Sequence, residues 1–194
     1  SPVSHVTPAT APRSGAAGVL VPNTESKIVD IETGNELTSG HEGELWIRGP
    51  QVMMGYLNNP EATAETITED GWLRTGDIGY VDEDGYLFIV DRLKELIKFK
   101  GFQVAPAELE AALVSIPGVL DAAVIGIPDD EAGEVPMGFV VVGDDAPDIR
   151  AIHDHFRKNL ASYKQLAAIE FVDEIPKSAS GKILRRVLRD RITS

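Results

Sequence analysis

The sequence predicts a mixed fold: a small β-barrel-like subdomain over residues 1–90, a hinge at 91–94 and a compact α+β domain over 95–194. Three observations predict it. Short apolar or alternating segments separated by turn residues recur through the first half, the pattern of a small barrel or sandwich. After Asp91 the pattern becomes strands alternating with amphipathic stretches of helical period. The charge balance shifts at the same place. Residues 1–90 carry fourteen acidic and four basic side chains, whereas residues 91–194 carry seventeen and fourteen.

The elements follow in order. Gly18 to Asp30 holds an apolar run and then the alternating Ser26-Lys27-Ile28-Val29-Asp30-Ile31, closed by the turn residues Glu32-Thr33-Gly34-Asn35. Glu44 to Arg48 is a second strand, stopped by Gly49-Pro50. Asn59-Pro60-Glu61 predicts a helix start. The Asn side chain can accept from a free N–H of the first turn, and proline has no N–H to leave unsatisfied. Asp82-Glu83-Asp84-Gly85 predicts a hairpin turn, with Tyr86 to Val90 as the strand leaving it. Beyond the hinge, Leu96 to Val104 reads as extended, and Pro106 opens a helix that runs to about Ser115 and ends before Pro117-Gly118. Ala122 to Ile127 and Val135 to Val142 are buried strands. Pro147 to Leu160 is an amphipathic helix with Ile149, Ile152, Phe156 and Leu160 on one face. Ala168 to Val172 is a short strand, and Gly181 to Arg191 a final helix.

Composition excludes several classes. The net charge of −13 opposes nucleic-acid binding, because a phosphate backbone would meet a mostly repulsive surface. The absence of cysteine removes disulfides, thiolate metal sites and cysteine nucleophiles, and fits a cytoplasmic protein. No apolar stretch is long enough for a membrane span, and the first residues, Ser1 to His5, have neither the basic nor the apolar region of a secretory signal. Ten of the eighteen Lys and Arg residues fall within 92–100 and 177–191, which suggests a small polyanionic ligand. Asp82 to Gly85 lacks the other ligands of a calcium loop. His153 and His155, two apart on a helix, face different ways and make no metal pair, and Trp46 and Trp72 read as packed residues.

Three segments carry candidate chemistry. In Thr75-Gly76-Asp77 a turn presents a carboxylate beside a glycine that permits close backbone approach, which suits recognition of ribose hydroxyls. In Asp91 to Gln103, an extended strand puts Leu96, Lys98, Lys100 and Phe102 on one side, so that Lys98 stands among apolar residues. There Arg92 offers a planar fork for phosphate or ribose oxygens. In Pro176-Lys177-Ser178-Ala179-Ser180-Gly181-Lys182-Ile183-Leu184-Arg185-Arg186, small residues surround Gly181, and Lys182 stands where a helix begins. A Walker A loop is excluded, since Pro176 replaces the first glycine and Ile183 the Mg²⁺-binding hydroxyl.

In this order and spacing, the TGD segment, DRLKELIKFKGFQVAPAELE and PKSASGKILRR resemble the adenylate-forming ligase superfamily. Within it the chain is most similar to the branch of 4-coumarate–CoA ligases, acyl-CoA synthetases and firefly luciferase. The resemblance covers essentially all 194 residues. It implies an enzyme that joins a carboxylate to AMP with release of pyrophosphate, then passes the acyl group to the thiol of coenzyme A. It also implies a small C-terminal domain that serves the two half-reactions in different orientations.

Carried over by motif, Asp77 holds the ribose hydroxyls, with Arg92 contacting the ribose and phosphate region. Asp91 and Lys94 belong to the hinge. Lys182 is the adenylation lysine, while Lys98 and Gln103 serve the second orientation. Gly101 lines the pantetheine path and Lys100 contacts the CoA phosphates. ATP and coenzyme A are the implied cosubstrates. Mg²⁺ is expected to be held mainly by family segments that this sequence lacks, namely the Ser/Thr/Gly-rich phosphate loop and the Tyr-Gly-x-Thr-Glu segment. The chain is therefore expected to be a C-terminal fragment, inactive alone, whose small-molecule acid, ATP and CoA belong to the parent enzyme. The alternatives are a non-catalytic nucleotide- or CoA-binding module and an adenylation domain of another branch. The Gln in KGFQVAPAELE favours the CoA branch over peptide-synthetase adenylation.

Overall fold

Seven strands of the first half form one antiparallel sheet: β1 (His5–Val6), β2 (Gly18–Leu20), β3 (Glu25–Val29), β4 (Glu36–Leu37), β5 (Gly43–Arg48), β6 (Leu73–Val81) and β7 (Tyr86–Arg92). The computed structural model describes residues 2–179 and 181–192, so Ser1 and Ser180 of the terminal motif lie outside the described residues. The chain divides into two compact units, one ending at Lys94 and the other beginning at Glu95.

In the first unit the strand order is β1-β2-β7-β6-β5-β3-β4. Among the described residues nothing pairs β1 with β4, so the expected barrel is here an open sheet with two edges. Alternation within β5 explains which face is covered. Gly43, Leu45 and Ile47 are buried, and Leu45 and Ile47 cluster with Ile28, Leu73 and Leu87. The other face carries Trp46, and nearby cations stack on the indoles. Lys27 and Arg74 lie over Trp46, and Lys27 and Arg48 over Trp72. The helix α1 (Pro60–Thr66) starts as its sequence predicts, with the Asn59 side chain accepting from Ala62 N at 3.0 Å.

The second unit is built on β10 (Val119–Asp129) and β11 (Gly133–Val142), a long antiparallel pair. β8 (Ile97–Phe99) and β9 (Phe102–Val104) join through a pairing of Phe99 with Gly133, and β12 (Ala168–Phe171) lies parallel to β11. The helices are α2 (Pro106–Val114), α3 (Ile149–Asn159) and α4 (Arg185–Ile192). Leu109 and Leu113, four apart on α2, are fully buried with Ile152 and Phe156 of α3 against Val124 and Val140. Burial of each such side chain contributes about 1.5–3 kcal/mol. Asp148 caps α3 by accepting from Ala151 N at 2.7 Å, so the helix begins at Ile149. Ile149 is therefore exposed at the first turn, and the buried stripe narrows to Ile152 and Phe156.

Three expectations need correction. Thr75-Gly76-Asp77 is no turn between elements but a bulge inside β6. Leu96 to Val104 is a hairpin, because Lys100 and Gly101 both take left-handed backbone, at φ 47° and 84°. That is the two-residue hairpin geometry that glycine permits readily. The last helix begins at Arg185 and not Gly181, since Lys177 bridges Ile183 and Leu184 N donates to Pro176 O ahead of it.

Candidate functional site

In the first unit the candidate residues meet at the β6 bulge. Glu44 pairs with Ile78 and Trp46 with Arg74, so Thr75, Gly76 and Asp77 face the single residue Leu45. Extra residues on one strand bend it and re-aim their side chains. Side chains hold the bulge in place: Thr75 Oγ1 donates to Leu45 O at 2.7 Å and accepts from Asp77 N at 3.0 Å. Gly76 N donates to Glu44 Oε1 at 3.0 Å, and Trp46 Nε1 donates to Glu44 Oε2 at 2.7 Å. Gly76 has φ 69°, and a Cβ there would meet nothing within 4 Å, so backbone conformation and not space calls for glycine.

This bulge sets Asp77 opposite Arg92 of β7, and Arg92 Nε lies 2.8 Å from Asp77 Oδ1. The two side chains are 54% and 26% exposed, so the pair contributes at most about 1 kcal/mol to the fold. A carboxylate that accepts beside a guanidinium that donates is a set able to grip a diol next to an anion. Asp91, one residue before, is buried and its Oδ1 accepts from Arg92 N at 2.7 Å. Lys94 is exposed in the single 3₁₀ turn Leu93–Glu95 that follows β7.

In the second unit the β8–β9 hairpin brings Lys98 and Gln103 directly across from each other. Their side chains are exposed on the face opposite Ile97 and Val104, which are buried. Lys98 is thus not among apolar residues, because the turn at Lys100-Gly101 reverses the chain that the extended reading carried straight on. Lys98 N donates to Glu134 Oε2 at 2.9 Å. Phe102 stacks on Tyr163 with ring centroids 4.4 Å apart. Lys100 and Gly101 form the exposed tip.

Lys182 stands on a separate loop. Lys177 bridges Ile183, Ser178 N donates to Lys182 O at 2.8 Å, Gly181 N to Ser178 O at 2.9 Å and Leu184 N to Pro176 O at 2.8 Å. The ammonium is therefore presented by a closed loop and not by a helix dipole. Lys98 and Lys182, like Lys100 and Lys158, are exposed and make no ion pair among the described residues, whereas Lys164 and Lys177 are paired with Glu108 and Asp121.

The sequence reading passed over Glu44, Glu110 and Glu134, which hold the candidate residues in place. Glu44 acts on Gly76 from 32 positions away, and nothing local announces that. Glu110 carried a weak signal, an acid beside the apolar stripe of α2. Among the described residues no group of three or more His, Asp or Glu side chains could hold a metal ion, and no helix is long and apolar enough to cross a membrane.

Comparison with known proteins matches residues 1–57 to the AMP-binding enzyme family and residues 108–182 to the AMP-binding enzyme C-terminal domain. The chain belongs to the adenylate-forming superfamily of AMP-binding enzymes. Among its relatives, 4-coumarate–CoA ligase 2 of Nicotiana tabacum is 56% identical over 94% of this chain, which spans 34% of that protein. 4-Coumarate–CoA ligase 1 of Glycine max is 55% identical, again over 94% of this chain and over 63% of its own length. ATP-bound MatB from Rhodopseudomonas palustris superposes with a TM-score of 0.87 at 36% identity, covering 95% of this chain and 36% of that one. The o-succinylbenzoate CoA synthetase MenE from Bacillus subtilis, in complex with the acyl-adenylate intermediate OSB-AMP, gives 0.80 at 36% identity, with 91% and 36% covered.

Proposed function

We propose that this chain supplies the C-terminal part of an AMP-forming acid–thiol ligase that makes CoA thioesters. The supporting observation is that two of the exposed lysines of one unit that make no ion pair among the described residues stand on separate tightly hydrogen-bonded segments, Lys98 opposite Gln103 on the β8–β9 hairpin and Lys182 beside the Lys177–Ile183 bridge. Two half-reactions that share one acyl centre need two such groups.

In the first, a carboxylate oxygen bonds to the α-phosphorus of ATP and pyrophosphate leaves. Lys182 meets the negative charge that builds as the two anions approach. In the second, the CoA sulfur bonds to the acyl carbon, AMP leaves, and Lys98 with Gln103 faces the adenylate. Asp77 accepts from the ribose hydroxyls and Arg92 donates to ribose and phosphate oxygens, consistent with the 2.8 Å donor–acceptor pair and its exposure. Gly101 lies along the pantetheine path and Lys100 meets the CoA phosphates. Asp91 to Lys94 is the hinge on which the residues from Glu95 onward turn, and the open sheet of residues up to 90 belongs to a barrel-like subdomain of the parent. Mg²⁺ reaches the site on ATP, held mainly by residues of the parent outside this chain. The named CoA ligases at 55–56% identity favour a thiol acceptor over the amine implied by amide bond synthetase McbA from Marinactinospora thermotolerans, at 38%.

The experiment uses the parent enzyme. Lys182→Ala is expected to slow acid-dependent pyrophosphate exchange about 10²–10³-fold while thioester formation from supplied acyl-AMP persists, and Lys98→Ala is expected to do the reverse. Equal loss of both steps in either variant refutes the division of roles. The chain by itself is expected to give no pyrophosphate exchange, and turnover by it would refute the reading that it holds only part of the site. A binding module without catalysis would release no AMP in response to any acid.

A further inference from the structure

The loop that presents Lys182 is fastened at both ends to the same strand. At its incoming end, Lys177 Nζ lies 2.5 Å from Asp121 Oδ2 of β10. At its outgoing end, Arg185 Nε donates to Val124 O at 3.2 Å, three residues further along β10. Arg185 Nη2 also donates to Glu110 Oε1 of α2 at 2.7 Å, and the same Glu110 oxygen accepts from Val124 N at 2.9 Å. Arg185 and Glu110 thus close a ring through both backbone groups of Val124. Their side chains are only 16% and 13% exposed, against 38% and 34% for Lys177 and Asp121.

We infer that Arg185 and Glu110 are positioning residues for Lys182, specific to the adenylation half-reaction. This rests on the reading of Lys182 proposed above. The physical argument has three steps. Lys182 itself is exposed and its ammonium makes no ion pair or hydrogen bond among the described residues, so its place depends on the backbone that carries it. That backbone is closed internally by the hydrogen bonds among Pro176, Ser178, Gly181, Lys182 and Leu184, so it moves as one piece about its two ends. Of the two ends, the Lys177–Asp121 pair is the more exposed to water and the more screened by it, whereas the Arg185–Glu110 pair is largely withdrawn from water and bound to backbone on β10. Only Ile183 and Leu184 separate Arg185 from Lys182, so loss of the inner anchor shifts the ammonium without touching Lys98, whose hairpin is tied to Glu134 and Gly133.

A displacement of the order of 1 Å at a reacting group costs about 10²-fold in rate. In the parent enzyme, Arg185→Ala is therefore expected to slow pyrophosphate exchange by about 10–100-fold. Thioester formation from supplied acyl-AMP should change less than about threefold, the range of an unshifted site. Arg185→Lys keeps the charge but cannot serve Val124 O and Glu110 together, and should fall between wild type and Arg185→Ala. Glu110→Gln keeps an acceptor for both Val124 N and Arg185 and should stay nearest to wild type, while Lys177→Ala should cost less than Arg185→Ala. Melting temperatures accompany each measurement. If Arg185→Ala does not fold, the Arg185→Lys variant decides the matter by the same ratio of half-reactions. Equal slowing of the two half-reactions by Arg185→Ala or Arg185→Lys, or a larger effect from Lys177→Ala, overturns the inference. Separation of the half-reactions by Lys182→Ala in the same preparation leaves the functional reading standing when this happens. Failure of Lys182→Ala to separate the half-reactions overturns both.

Discussion

Gly101 and Gly118 share nearly the same left-handed backbone, at φ 84° and 87°, and differ in what surrounds them. A Cβ at Gly101 would meet nothing within 4 Å, whereas one at Gly118 would run into the backbone carbonyl of Asp145. Alanine at either site incurs the left-handed penalty of about 1–2 kcal/mol. At Gly101 that is the whole effect. For a unit of this size it lowers the melting temperature by about 4–8 °C for each kcal/mol. At Gly118 the overlap adds about 1–3 kcal/mol, because a carbonyl cannot rotate aside as a side chain can. Thermal and urea denaturation of the two single variants, followed by circular dichroism, measures the difference. Equal losses would show that the Gly101 turn is crowded, and no loss at Gly101 would show that its backbone is not left-handed. Either result refutes the hairpin geometry that sets Lys98 against Gln103. On the proposed reading, in which Gly101 lines the pantetheine path, Gly101→Ala in the parent enzyme carries a second expectation, a larger loss in thioester formation than in adenylation.

Two other outcomes test the first unit. Glu44→Ala strips acceptors from Gly76 N and Trp46 Nε1. It should cost about 1–3 kcal/mol, and if Asp77 holds the ribose as proposed it should raise KM for ATP in the parent enzyme; amide hydrogen exchange at Gly76 that stays as slow as in wild type would contradict the loss of that hydrogen bond. Asp30 is held below the usual carboxylate pKa by hydrogen bonds from Thr33 N first, then from the Thr33 hydroxyl and Glu32 N. Its folded pKa is lowered, so its contribution is fully present above the ordinary Asp value and is lost as pH falls through the lowered one. Asp30→Asn should flatten the acid side of the stability–pH curve, and an unchanged slope would count against the turn.

Much of the architecture was legible because it depends on local pattern. Gly49-Pro50 marked the end of β5, the Asn59-Pro60 pair marked the start of α1, and Pro106 with Pro117-Gly118 marked the limits of α2. The motif residues were legible as motifs, since Asp77, Arg92, Lys98 and Lys182 stand in a recognisable order. Their settings were not. The extended reading of Leu96 to Val104 failed because Lys100 takes a left-handed backbone that only its neighbours on β8 and β9 enforce. The helix expected at Gly181 failed because Ser178 and Pro176 hold the loop's hydrogen bonds before α4 can begin.

The sequence by itself determined where strands and helices alternate and which family its motifs resemble, because these follow from periodicity, turn chemistry and residue order. Only the tertiary structure decided that Thr75-Gly76-Asp77 is a bulge aimed at Arg92, that Gln103 faces Lys98, and that Glu110 fastens Arg185 to β10. Those depend on pairings between residues from 5 to 75 positions apart, and such partners are chosen by strand register and burial, which no local stretch of sequence encodes.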